Sequence, residues 1–188
     1  MTRKEQKEER KKAILFAALE LFVKRGYYDT KITDIAQKVS MSTGLLFHYF
    51  ASKEELLVEL VKMGAGGTQM VDEIGAEDPA GYFEQFLKEL FAYSQRSPWV
   101  FHMFVLMSQA RRAGMPEEAR KIALSVDQIE KSVKKIELGQ KTGVFREGDA
   151  YLLSVCFWTA VQGLMEKMAY NEELQPPDTE WLMAILRK

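Results

Sequence analysis

The 188-residue chain has a single cysteine, Cys156. That excludes an internal disulfide and any zinc site built on paired cysteines. One thiol suits a reducing compartment. Its setting, LLSVCFWTAV, predicts a small buried apolar residue rather than a redox centre. There are two histidines, His48 and His102, far apart and in no His-Glu-x-x-His pattern. No catalytic constellation, metal site or cofactor is therefore expected, and an enzyme is disfavoured. The longest uncharged apolar stretch, 150–165, falls short of the ~20 residues a membrane span needs. No cationic-apolar-small signal pattern opens the chain. A soluble, cytoplasmic protein is expected. The glycine run GAGG at 64–67 lacks the preceding strand and the Lys-Ser/Thr ending of a phosphate loop.

No one charge dominates, since the net is −1. Yet the charges are segregated. Residues 1–53 hold eleven Lys/Arg against six Asp/Glu, and the remainder holds fifteen against twenty-one. A basic head on an acidic body suggests a polyanion partner for the head. The segment RKEQKEERKK interleaves both signs, which equally fits a solvated helical face.

Strand alternation is absent too, while apolar residues recur at spacings of three and four. Ile14, Ala17, Ala18, Leu21 and Phe22 make a first stripe that ends at Gly26 behind Lys24 and Arg25, a C-terminal pattern. Ile32, Ile35, Ala36 and Val39 make a shorter one. Ser52 and Glu55 form a capping box that starts a helix at Lys53, running to Met63 or beyond, with Gly64, Gly66 and Gly67 ending or softening it. Further helices are expected at 80–96, 99–111, 116–141, 149–170 and 179–187. The fold expected is all-α, about nine helices, divided into 1–53 and 54–188.

The stretch STGLLFHYF at 42–50 carries the functional argument. On a helix at about 100° per residue, Leu46 and Phe50 fall together and define the buried side. Gly44, Leu45 and His48 point away, with Phe47 and Tyr49 flanking. A stripe-bearing helix, a tight break and a short displayed helix have helix-turn-helix spacing, whose second helix enters the DNA major groove. Gly44 would let backbone approach the duplex closely. His48 and Tyr49 can donate to phosphate, Leu45 or Phe47 can touch a thymine methyl, and Thr43 with Leu45 would read bases. Lys53, on the first turn of the next helix, is expected to clamp phosphate.

Ile14–Phe22, Gly26–Tyr27, Asp34–Ala36 and STGLLFHYFASK followed by EELL resemble the N-terminal domain of the TetR family of bacterial transcriptional regulators. The resemblance covers about the first third of the chain. It implies a homodimer that represses at a palindromic operator, contacted through Ser42 among the residues above, and leaves when a small ligand binds the body. It implies dimerisation through the last two helices, about 149–170 and 179–187. There is a physical need as well, because one short helix reads few base pairs while two heads ~34 Å apart read a useful site. Three positions depart from the family pattern. Ser40 stands where glycine is usual, and a positive φ there costs about 1 kcal/mol. Lys31 stands where Thr or Ser usually opens the helix, so Thr30 is expected to cap and Lys31 to reach phosphate. Phe47 replaces a tyrosine.

The body is rich in methionine and aromatic residues. Such a composition serves as core, and it also lines pockets between helices of bundles. Phe86, Leu90, Phe104, Met107, Ile129 and Trp158 are the expected lining of a site for an apolar or aromatic effector, with His102 able to orient it. The rival reading is a helical binding or adaptor protein whose head contacts protein. It accounts for the displayed aromatics but not for the basic head.

Overall fold

The computed structural model describes residues 2–72, 78–171 and 173–188. Among the described residues there are ten α-helices and no strand, only an isolated bridge between Phe145 and Arg187. The head is built from α1 (Arg3–Arg25), α2 (Ile32–Lys38) and α3 (Thr43–Phe47). There follow α4 (Lys53–Asp72), α5 (Pro79–Arg96), α6 (Trp99–Ala110), α7 (Glu117–Ser125), α8 (Gln128–Lys141), α9 (Ala150–Ala169) and α10 (Thr179–Met183).

Two boundaries differ from expectation. The helix expected over 116–141 is two helices, which accounts for ten in place of about nine. Between them Val126 is buried, and Asp127 leaves the helical region (φ −127°, ψ 87°) so that its carboxylate accepts from Glu130 N at 3.0 Å. An aspartate that caps the following turn competes with helix continuation. The last helix stops at Met183 rather than 187. Arg146 draws the end of the chain aside, donating from Nε to the Arg187 carbonyl at 2.9 Å, while its backbone N–H donates to Leu186 O.

The chain folds as two compact units. One comprises 1–65 and 105–124, the other 66–104 and 125–188. The first therefore extends past residue 53, and α4 and α6 each contribute to both. In the first unit, Ile14, Ala18, Phe22, Ile35, Leu46, Leu56, Leu57, Leu60 and Val61 are buried. The α1 and α2 stripes read from the sequence are thus the inward faces. Tyr28 donates its hydroxyl to the Gly114 carbonyl, tying the α1–α2 loop to the α6–α7 connection.

In the second unit, the buried face of α5 (Tyr82, Phe83, Phe86, Leu87, Phe91) packs with Ile136 of α8 and with Phe157, Trp158, Val161 and Met165 of α9. Phe83 meets Phe157 edge-on at 4.9 Å between centroids, a favourable aromatic geometry. Gly139 on α8 is required. A Cβ there would lie 2.2 Å from Cδ2 of Phe145, whose ring closes this core.

Cys156, expected to be buried, is exposed. The buried side of α9 is the row Ser154, Phe157, Trp158, Val161, Met165 and Met168. Cys156 lies on the opposite row with Leu152, Thr159, Gly163 and Tyr170, all exposed. A helix apolar nearly all round cannot bury every side against one chain.

The glycine run does not end the helix, since α4 continues through 64–67. No helix among the described residues is long and apolar enough to cross a membrane.

Candidate nucleic-acid interface

The site is set by how α2 ends. Met41 N donates to Ala36 O at 2.9 Å and Ser40 N to Gln37 O at 3.0 Å. Ser40 between them adopts φ 53°. This is a Schellman-type stop, normally made by glycine, and Ser40 holds it at the steric cost of a left-handed non-glycine residue. The chain reverses in four residues. Ser42 then caps α3, its hydroxyl accepting from Leu45 N at 3.2 Å.

Capping aims α3. Leu46 and Phe50 turn inward and are buried, while Leu45 is 38% and Phe47 48% exposed. Ser42, Gly44 and His48 are also exposed, and Thr43 and Tyr49 are half-buried. A Cβ placed on Gly44 would meet nothing within 4 Å. The nine-residue stretch thus splits into an anchoring side and a displayed side.

The start of α2 differs from expectation. Thr30 does not cap it. Thr30 is buried, and its hydroxyl donates to Gly26 O at 2.8 Å and lies 3.2 Å from Leu21 O. The cap position is Lys31, whose backbone N–H donates to Asp34 Oδ2 at 3.0 Å while its side chain stays exposed. Ser52 accepts from Glu55 N at 3.0 Å, as expected for the start of α4.

Lys53 is engaged elsewhere than expected. Its ammonium donates to the carbonyls of Tyr27 (2.8 Å), Thr30 (2.9 Å) and, more distantly, Tyr28 (3.4 Å). It also sits 4.4 Å from the centroid of the Tyr27 ring. An ammonium has three protons, and these contacts use all three. Lys53 is therefore not a free phosphate clamp but a pin holding the α1–α2 loop. Burial lowers its pKa from the usual lysine value, opposed by nearby Asp29. Burial, with smaller contributions from Glu54 and Tyr28, pushes the Tyr27 phenol up to about 12.

A model of "Bacterial regulatory proteins, tetR family" matches residues 14–60, the segment that contains this helix-turn-helix and the start of α4. Residues 14–60 carry a TetR-family DNA-binding domain. The chain is 44% identical over 55 residues to the transcriptional regulator HbdR of Aromatoleum sp., covering 29% of this chain but only 24% of HbdR's length. It is 27% identical over 173 residues to the transcriptional repressor NicS of Pseudomonas putida, covering 83% of this chain and 78% of NicS. The crystal structure of the TetR family regulator PfmR from Thermus thermophilus superposes with a TM-score of 0.68 at 27% identity, covering 100% of this chain and 97% of PfmR.

The helix-turn-helix displayed by this TetR-family domain has a neighbour on α1. Arg3, Gln6, Lys7 and Arg10 line a groove of about 280 Å³ together with Tyr49. Sequence order interleaves acids among these cations, so only helical spacing reveals the common face.

The expected effector-lining residues are only partly brought together. Phe86 and Trp158 are buried with ring centroids 4.9 Å apart, and Leu90, Phe104 and Ile129 pack against the same core. Met107 belongs to the other compact unit. Polar groups enter this core in satisfied pairs. Trp158 Nε1 donates to Ser132 Oγ at 2.8 Å, and Ser154 Oγ donates to Ile129 O at 2.8 Å. Gln162 donates to Phe104 O at 3.0 Å and to Glu166 at 2.6 Å.

Proposed function

We propose that the protein is a DNA-binding transcriptional repressor without enzymatic activity, acting in the cytoplasm. It occupies a palindromic operator as a homodimer and leaves when an apolar or aromatic small molecule binds the body. In this proposal residues 1–53 hold the DNA contacts and 54–188 the effector and dimer contacts.

The observation that carries the proposal is the split of α3. Leu46 and Phe50 are spent on anchoring, which leaves Ser42, Thr43, Gly44, Leu45, Phe47, His48 and Tyr49 on or beside the displayed side. An apolar side chain such as Phe47 held half-exposed wastes burial unless a partner covers it. The major groove offers thymine methyls for Leu45 and Phe47 and hydrogen-bonding edges for Thr43. His48, Tyr49 and the exposed Lys31 supply phosphate contacts. Lys53 acts by positioning, since it holds the loop that precedes α2.

Dimerisation is supported by the exposed row of α9, Leu152, Cys156, Thr159, Gly163 and Tyr170, and by Trp181 of α10 at 73% exposure. These are the helices through which the TetR resemblance implies pairing, and a second copy of the chain is the occupant we assign to them. Repression draws support from NicS, a relative described as a repressor. The aromatic core around Phe86 and Trp158 favours an effector of apolar or aromatic character.

Selection of the full-length protein against a random duplex pool tests the proposal. It should enrich an inverted repeat with half-site centres about one helical turn apart. Thr43 and Leu45 substitutions should alter the enriched bases. Repeating the selection with hydrophobic ligands should reveal one that abolishes enrichment. Failure to enrich any sequence, with binding indifferent to salt, would remove the DNA reading and favour a protein-binding head.

A further inference from the structure

The head's cations fall into two groups. Lys24, Arg25 and Lys38 are neutralised, while Lys31 at the start of α2 is exposed. Glu20 is 2.9 Å from both Lys24 and Lys38, and Asp34 is 3.6 Å from Arg25. Hydrogen bonds from Lys24 and then Lys38 hold the Glu20 carboxyl below its usual range. Arg3, Lys7 and Arg10, in contrast, make no ion pair with any described residue, and all three are exposed.

Their arrangement is not that of a mixed solvated face. At about 100° per residue, Arg3, Lys7 and Arg10 share one side of α1, flanked by Gln6, Lys4 and Lys11. Glu5, Glu8 and Glu9 fall on the opposite side, with Lys12 among them. The register is set at the first turn, where the Thr2 hydroxyl accepts from Glu5 N at 3.2 Å and Glu5 accepts from Thr2 N at 2.7 Å. The basic side opens onto the groove that Tyr49 lines. Arg3 and Lys4, cations in the first turn, oppose the helix dipole there, whereas Lys7 and Arg10 lie beyond its reach. A local rule broken in this way points to a role outside folding.

We propose that the Arg3–Lys7–Arg10 face of α1 binds the phosphate backbone of the duplex beside the half-site read by α3, with Tyr49 joining the two surfaces. This rests on the reading of α3 as the groove-entering helix. Arg3 to Arg10 spans about 10 Å, the rise of about three base pairs, so the face covers consecutive backbone positions on one side of the groove. Phosphate is recognised here by charge and not by sequence. The face adds affinity and register, while base preference stays with Thr43 and Leu45.

The test measures how affinity of the full-length protein for its selected operator falls with salt. The variant is Arg3→Gln/Lys7→Gln/Arg10→Gln, which keeps good helix formers. Each phosphate that the variant no longer neutralises should flatten the slope of log affinity against log salt by about 0.9 per head, leaving the enriched sequence unchanged. Circular dichroism should report the same helix content. A Glu8→Gln/Glu9→Gln variant, on the opposite side of α1, separates local contact from overall charge and should leave the slope unaltered. A triple variant whose slope equals that of wild type overturns the proposal, as does a slope that tracks net charge in both variants. Loss of binding to phosphatidylserine vesicles with an unaltered DNA slope would assign the face to a lipid surface instead. A wild-type protein that binds no duplex would overturn this inference together with the function it rests on. A wild type that binds its operator, with a salt slope the triple variant shares, overturns the inference alone.

Discussion

Lys53 shows how one side chain's role depends on what surrounds it. On a bare helix start, a lysine reaches outward to phosphate. Here the carbonyls of Tyr27, Tyr28 and Thr30 converge on its ammonium, and the Tyr27 ring lies beneath it. Lys53→Met keeps the aliphatic stem and removes the three donors. It should lower stability by about 1.5–3 kcal/mol, the scale of a charge-assisted hydrogen bond, read as a lower urea midpoint. The salt slope of DNA binding should stay as in wild type, and a flatter slope would return Lys53 to the phosphate. Tyr27 makes a second residue-scale prediction. Its folded pKa is about 12, above the ordinary tyrosine value of 10.0. A raised folded pKa contributes stability that is complete below the unfolded pKa and lost as pH rises through the folded one. Thermal stability should therefore fall from about pH 10 toward 12 more steeply in wild type than in Tyr27→Phe. Parallel curves for the two proteins would contradict the buried phenol.

At the scale of elements, α4 is the helix whose continuity the sequence left open. Glycines cost a helix interior about 1 kcal/mol each against alanine, yet α4 runs through Gly64, Gly66 and Gly67 without a break. Gly66 and Gly67 are exposed, and a Cβ on either would meet nothing within 4 Å. Their presence is not demanded by packing. Gly66→Ala/Gly67→Ala should stabilise the protein by about 1–2 kcal/mol and slow amide exchange around 64–68. Unchanged exchange there would show that the glycines do not soften the helix. Gly139 on α8 is the opposite case. Its missing Cβ makes room for Phe145, so Gly139 cannot be exchanged on the same terms.

At the scale of the whole molecule, the face of α9 away from the core remains uncovered in the single chain. Gly163 sits in the middle of it, with no atom within 4 Å of an added Cβ. Gly163→Arg should fold, because nothing in its own chain obstructs the side chain, but should block close approach of a second copy. Sedimentation should then report a monomer, and operator affinity should fall by about 100-fold or more, since two linked heads gain that much by avidity. Exposed Cys156 on the same face gives a check without mutation. Its maleimide reaction should slow as protein concentration rises through the dimerisation range. A rate independent of concentration, with Gly163→Arg still dimeric, would move the interface elsewhere.

The amino-acid order alone determined the helical class, the α1 and α2 stripes, the helix-turn-helix and the inward pair Leu46 and Phe50. These depend on residues three or four apart, and helical geometry turns such spacings into faces without reference to the rest of the chain. It also indicated the strained turn at Ser40, because a local reversal demands a left-handed residue at that place. Tertiary structure decided what depends on distant partners. Lys53 was taken up by a loop more than twenty residues earlier, Thr30 turned inward to the carbonyls of Leu21 and Gly26, and the expected helix over 116–141 was broken where Asp127 caps. The fate of Cys156 was decided the same way, since an all-round apolar helix does not say which side its own chain will cover. So was the basic groove on α1. Its cations can be counted in the sequence, but whether they are neutralised depends on which carboxylates fold beside them, and those lie around α2 instead.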